Sequence, residues 1–442
     1  MEPDISIGIL NAPVILFKLN GIYIHRNSNE RIEGVCRASL QGADLKLEFG
    51  QSQIVTQLPF TLEPECYDKG SLDIYDVVIG KKFHWQRTEK QTFKGSLKLI
   101  YEENQLTAVN LLPLEDYLLS VISSEMSATS SVELLKAHAV ISRSWLLAQI
   151  QKGETLKHAG DYLTGYDTAS EHVKWYDRED HLYYDVCADD HCQRYQGITK
   201  ASTTQVAEAV KATKGQVLAY NDRICDARFS KCCGGITEQF ENVWEPVAHP
   251  YLIRLRDSHI EEALPDLTVE ANAEKWIKSS PVAFCNTRDA EILSQVLNDY
   301  DRETSDFYRW KIVYSQAQIQ TLLKKKIGLQ LGNIIRLSAI ERGSSGRIIL
   351  LKIEGSEGTK IIGKELEIRK ALSESHLYSS AFVVETSDFK NGVPQTFTFT
   401  GAGWGHGVGL CQIGAAVMSA RGDSYEKVLS HYFKGAELKV MY

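Results

Sequence analysis

Three groups of residues in this 442-residue chain have the types and spacing to do chemistry. Glu125 stands in Val121-Ile-Ser-Ser-Glu-Met-Ser. A carboxyl beside Val121, Ile122 and Met126 can be half-buried with its pKa raised, which is what a general acid near neutral pH needs. A solvated glutamate at a helix end is the ordinary alternative. Arg143 lies 18 residues on, inside an otherwise apolar stretch, a setting in which an Arg has a carboxylate partner or a ligand. Lys136 can act in the same place or simply lay its stem along the apolar surface.

The second group is His181, Cys187 and Cys192, with His191 adjacent. Imidazole and thiolate together suit zinc, and three ligands with an open position would be catalytic or regulatory in style. The spacing is not that of a structural CxxC pair, and a Cys187–Cys192 disulfide fits an exported chain equally well. The third group is the run Gly401 to Gly414, with glycines at alternate positions around Trp404 and His406. It fits neither the dinucleotide fingerprint nor a nucleotide P-loop. A backbone that crosses something closely while displaying a ring and an imidazole fits it better, and so does a tight strand-to-helix turn. Serine-hydrolase chemistry is unsupported, because Gly343-Ser-Ser-Gly lacks the nucleophile-elbow spacing, and a Cys411/His406 pair has no supporting signature.

The elements that must position these groups follow from periodicity. Residues 1–110 read as short strands separated by turn signals. From Leu112 to Met126 the period becomes helical, with Tyr117, Leu118, Val121 and Ile122 on one side. Ser130 followed by Glu133 predicts a capping box opening a second helix to Ile150. Residues 151–200 form a long loop without helical period. A short helix over Gln205–Thr213 is stopped by Gly215, two strands over 216–230 turn at Asn221-Asp222, and Cys232-Cys-Gly-Gly is a tight turn. Residues 258–385 alternate helix (289–297, 316–325) and strand (347–353), and the end carries helices to Arg421 and over 424–433. The domain reading is a β-rich region 1–110, a core 111–257, an inserted mixed segment 258–385, and 386–442 completing the core, in an α+β fold.

Composition excludes several classes. A net charge of −8 without a basic run gives no footprint for a nucleic acid. No stretch reaches the roughly 18 apolar residues of a membrane-spanning helix. The start Met1-Glu-Pro-Asp-Ile has no basic region followed by an apolar core, although a targeting peptide can already have been removed. Nine cysteines are too few for a disulfide scaffold.

In this order the motifs resemble the stage II sporulation protein D and LytB amidase-enhancer family of cell-wall proteins. The resemblance rests on Leu114-Glu-Asp-Tyr-Leu-Leu-Ser-Val-Ile-Ser-Ser-Glu-Met, Leu135-Lys-Ala-His-Ala-Val-Ile-Ser-Arg-Ser-Trp, Tyr184-Asp-Val-Cys with His191-Cys-Gln-Arg-Tyr, Phe229-Ser with Gly234-Gly-Ile-Thr, and Gly403-Trp-Gly-His-Gly-Val-Gly-Leu-Cys-Gln-Ile-Gly-Ala. It spans Leu112 to Tyr442, and Gly80-Lys-Lys-Phe-His-Trp fits more loosely. The resemblance implies a peptidoglycan lytic transglycosylase at the cell envelope that acts on glycan strands stripped of stem peptides. Glu125 would be the catalytic acid. Arg143, Lys136, Gln193, Ser230, His406, Gln412 and His191 would bind the sugar, and His181, Cys187 and Cys192 would hold zinc. His138 replaces a Gln common in the family and would add a titrating neighbour. The runner-up is a non-catalytic wall-binding enhancer of an amidase, and the third reading is a zinc hydrolase with Glu125 as base.

Overall fold

The computed structural model describes residues 1–80, 86–127, 130–156, 164–175, 181–189, 191–199, 203–260, 262–296 and 306–442. Residues 81–85, most of the Gly80 to Trp85 motif, lie outside them, as do parts of the long loop and the last residue of the helix expected over 289–297. The fold is mixed α+β.

Alternation of apolar and polar residues in the first quarter produces a large, mostly antiparallel sheet. In the strand Val14–His25, for example, Ile15, Phe17 and Leu19 are buried while Val14 and Leu16 face out. Ten strands between Asp4 and Pro113 belong to it. Its edge strand Asp4–Ala12 does not stay open: Val186–Cys187, from the long loop, adds to it in parallel, pairing with Ile7 and Gly8. The sheet thereby fixes one end of the cysteine-bearing loop.

The chain leaves the strand Gln105–Pro113 directly into helix α1 (Leu114–Glu125), whose first turn carries Glu115 and Asp116 where the helix dipole favours negative charge. Helix α2 (Val132–Leu156) is buried on almost every side between Leu134 and Leu146. It is packed by α1, by α3 (Thr204–Ala212), by the strand Gln216–Tyr220, and by the helices Gln412–Ala420 and Tyr425–Tyr432. A helix enclosed in this way is the core of the domain. The expected cap is displaced by one residue. Ser131 Oγ accepts the Leu134 amide, Ser130 Oγ instead donates to the Gln295 carbonyl, and Glu133 turns to Lys136 and the Tyr425 amide.

The segment after 258 has its own hydrophobic core around Ile319, Ile353, Phe382 and Phe399. The boundaries drawn from sequence around it cut through sheets. The strand Thr396–Ala402 pairs with both Arg309–Ser315 and Phe382–Ser387, and the loop strand Glu171–Lys174 pairs with Gly358–Gly363. The expected hairpin over 216–230 is also shorter than predicted. Gln216–Tyr220 turns at Asn221 and Asp222, both at positive φ, into Arg223–Ile224, but Phe229–Ser230 leaves to pair in parallel with Leu410–Cys411.

Two buried charges fasten the inserted segment to the core. The Glu238 carboxylate accepts from the amides and hydroxyls of Ser344 and Ser345 and from Asn242 Nδ2. Arg347 donates to the Cys233 and Gly405 carbonyls. The glycine run makes that approach possible: Gly407 has φ +78°, and a Cβ there would lie 2.4 Å from the Arg347 guanidinium carbon.

Candidate active site

Glu125 ends α1 half-buried, as its apolar neighbours predict. Its Oε1 accepts the Arg194 amide at 3.0 Å, its hydrogen-bond partner among the described residues. The segment that supplies this amide is clamped along α1. The Gln196 amide donates to Ser120 Oγ at 3.1 Å, and Tyr195 is buried between Phe93 and Tyr117, its hydroxyl donating to Asn110 Oδ1 at 2.7 Å. Three consecutive residues, 194 to 196, therefore hold one face of the helix that presents Glu125.

Immediately before them come His191 and Cys192. The ligand atoms of His181, Cys187, His191 and Cys192 all lie within 4.8 Å of one another. Cys192 Sγ is 3.5 Å from both His181 Nε2 and His191 Nδ1, the edge of about 3.5 Å that Zn–S and Zn–N bonds of 2.3 and 2.0–2.1 Å give in a tetrahedron. The residues fit zinc. Both cysteines are free thiols, as are all nine in the chain, so the disulfide alternative is not what the structure contains. His191, expected at the sugar, belongs with the ligands instead. With it the set offers four protein donors, and a zinc held by all four would be of the structural style. The neighbouring thiol of Cys192 comes first among the groups that hold the Cys187 thiol far below its usual range, followed by His181 and His191.

Arg143 is the clearest correction. It is fully buried, and its Nε and Nη2 bind the two oxygens of Glu115 at 3.0 and 2.7 Å while Nη1 donates to the Gln216 carbonyl at 2.9 Å. The guanidinium is engaged at the opposite end of α1 from Glu125. Gln193 is buried as well, taking the Tyr117 hydroxyl on its carbonyl oxygen and donating to the Ser142 carbonyl. Lys136 pairs with Glu133 at 2.7 Å and lies over the Tyr425 ring, facing the C-terminal helix. Gln412 is buried with Nε2 3.0 Å from His138 Nε2 and 3.7 Å from the sulfur of Met126, the residue after Glu125. In the structure these four bond to the helices and strands around them.

His406 is half-buried, and both its ring nitrogens are committed to backbone: Nε2 to the Phe229 carbonyl at 2.9 Å and Nδ1 to the Val408 amide at 3.1 Å. Donation to a carbonyl and acceptance from an amide fix the neutral tautomer, and burial drives its pKa well below the ordinary histidine value. Ser230 is buried beside Gly405, its hydroxyl without a hydrogen-bond partner among the described residues.

His138 is no titrating neighbour near neutrality. It is fully buried between Gln412 and Ser142 Oγ, against the Phe229 ring, and burial pushes its pKa down to about 3, with the Lys231 charge acting the same way. In the unfolded chain the ring takes a proton near 6.5, so its contribution to stability is whole above that pH and is lost as pH falls toward about 3. His138→Gln keeps a donor and an acceptor in place. It is expected to reduce the stability lost between pH 7 and pH 5 by about 2 kcal/mol relative to wild type, read from urea unfolding at the two pH values. An unchanged pH dependence would mean that the ring is protonated in the fold.

Residues 102–220, from the last strands of the large sheet through α1, α2 and the ligand loop to the strand after α3, match the family model described as Stage II sporulation protein. Residues 238–409 match a model described as Domain of unknown function (DUF8618). The stage II sporulation protein D of Bacillus subtilis is 25% identical over 75% of this chain and 76% of its own length. An uncharacterized protein of Brachyspira hyodysenteriae is 26% identical over 78% of this chain and 72% of its own. The amidase enhancer of Bacillus subtilis is 26% identical over 72% of this chain, which spans 39% of that longer protein. Residues 102–220 thus carry a Stage II sporulation protein domain, and the chain is similar over most of its length to proteins named stage II sporulation protein D and amidase enhancer. These similarities support a cell-wall-related role. Among the described residues no helix is long and apolar enough to cross a membrane.

Proposed function

We propose that the protein is a peptidoglycan lytic transglycosylase with Glu125 as acid and then base. The observation that carries this reading is a half-buried carboxyl at a helix end, with one oxygen held by the Arg194 amide. The Glu125 proton passes to the glycosidic oxygen between N-acetylmuramic acid and N-acetylglucosamine as the C1–O bond breaks. The resulting carboxylate takes the proton of the muramic acid C6 hydroxyl as O6 bonds to C1. No water is consumed and one carboxyl suffices, whereas hydrolytic glycosidases usually need two.

Zinc on His181, Cys187, His191 and Cys192 would tie the loop together two residues before the Arg194 amide. Its part is to orient, since outer-shell groups that orient a site are typically worth 10–100-fold. His181→Ala with Cys192→Ser is therefore expected to lose one equivalent of zinc and to lower turnover by about tenfold or more, with the stereochemistry of the product unchanged. Metal analysis and product assay on the same preparation check this, and full turnover without the metal would refute it.

The test of the function is mass spectrometry of products from purified glycan strands with and without stem peptides. Fragments ending in 1,6-anhydro-muramic acid support the proposal, and preference for stripped strands would define the substrate. Reducing ends in place of anhydro ends would make the enzyme a hydrolase. A second reading comes from the amidase enhancer among the relatives: strands bound but uncut, together with faster cleavage by an added N-acetylmuramoyl-alanine amidase, would establish it.

A further inference from the structure

A second cluster of soft donors lies in the interior, apart from the ligand loop. Cys233 follows the strand Phe229–Ser230, Asp257 lies on the approach to the inserted segment, Cys285 lies within that segment, and Cys411 lies within the glycine run. Their ligand atoms are within 4.8 Å of one another and all four residues are buried. Four stretches of chain that are remote in sequence meet here at their chemically reactive atoms.

Three features distinguish this from ordinary buried thiols. Cys233 Sγ and Cys285 Sγ are 3.7 Å apart, far beyond a disulfide bond of about 2.0 Å and close to the edge of about 3.8 Å of a zinc–thiolate tetrahedron with 2.3 Å bonds. Asp257 is fully buried, accepts the Cys285 amide at 2.8 Å and the Tyr432 hydroxyl at 2.6 Å, and among the described residues forms no ion pair with Lys, Arg or His. A buried carboxylate without a cation is costly, and coordination to a metal is one of the ways proteins resolve it. Cys411 is the N-cap residue of the nine-residue helix Gln412–Ala420, where the helix dipole favours a thiolate, and its sulfur already accepts the Cys233 amide at 3.2 Å.

We propose that Cys233, Cys285, Cys411 and Asp257 bind a second divalent ion of the zinc class, with four protein ligands and a structural role. The ion joins the inserted segment, through Cys285, and the glycine run, through Cys411, to the core turn at Cys233. Because the donors are enclosed, the ion enters during folding and its binding energy is folding energy.

The test uses the full chain with the loop site removed by His181→Ala and Cys192→Ser, so that the interior site is observed alone. Purified under reducing conditions, this variant is expected to retain one equivalent of zinc. Cobalt(II) present during refolding is expected to give the thiolate-to-metal absorption band of a tetrahedral sulfur-rich site. Adding Cys285→Ser should abolish both. If that variant does not fold, the zinc content and cobalt spectrum of the parent variant decide by themselves. A parent that folds, by circular dichroism, yet carries no zinc and gives no cobalt band overturns the proposal. So does a Cys233–Cys285 disulfide found in the intact protein by mass. Failure of the loop site alone is distinguishable, since the wild type would then hold one equivalent whose loss follows Cys285→Ser and not Cys192→Ser.

Discussion

Glu125→Gln is expected to lower the rate of glycan cleavage by about 10²–10⁴-fold, the range that a positioned general acid supplies, or roughly 3–5 kcal/mol of transition-state stabilisation. The substitution isolates the proton. Gln has the same shape, and its carbonyl oxygen can still accept the Arg194 amide, so the clamp of residues 194 to 196 on α1 stays formed and the unfolding midpoint should not move. On the proposed chemistry, what is lost is an acid able to protonate the leaving oxygen and a base able to take the C6 hydroxyl proton. Single-turnover measurement of anhydro ends, with strand binding measured in parallel, separates these. Cleavage reduced only a few-fold with binding intact would remove Glu125 from the chemistry. A parallel loss of binding would point to a groove contact instead.

The largest effect on stability is expected at Arg143. Arg143→Ala strips the Glu115 carboxylate of two guanidinium hydrogen bonds and the Gln216 carbonyl of one, at a fully buried position. Breaking a buried pair by removing one partner costs about 3–5 kcal/mol, because the other charge stays buried. Glu115 keeps the Tyr442 hydroxyl and the Gly215 amide, which places the expectation nearer the lower figure. Arg143→Lys, a point charge in place of a fork, should recover only part of the loss. Urea unfolding followed by circular dichroism checks both variants. Wild-type stability with a raised KM for glycan would return Arg143 to the substrate.

Arg143 also marks the limit of what can be read in advance. That an Arg within an apolar helix must have a partner was legible from its type and setting. Which partner was not, because Glu115 lies 28 residues away on another helix and Glu125 is equally acidic. Only the packing of α1 against α2 decides which end of α1 the guanidinium meets. The same distinction separates His191 from Gln193. Both flank Cys192, and sequence order cannot say that one imidazole turns to the thiolates while the amide turns inward to Tyr117 and Ser142.

Local forces account for the alternating strands before Asn110, the helical period through Glu125, the turn at Asn221 and Asp222, the glycine run, and the acid and soft ligands as chemical types. Those follow from side-chain period and backbone freedom, which are properties of neighbouring residues. Only the tertiary structure decided how distant segments meet. It set the loop strand at Val186–Cys187 on the sheet edge, the Arg194 amide on Glu125, and Cys233, Asp257, Cys285 and Cys411 around one point. Such meetings depend on the burial of whole helix and sheet faces, a non-directional force spread over the chain that leaves no mark at any one position.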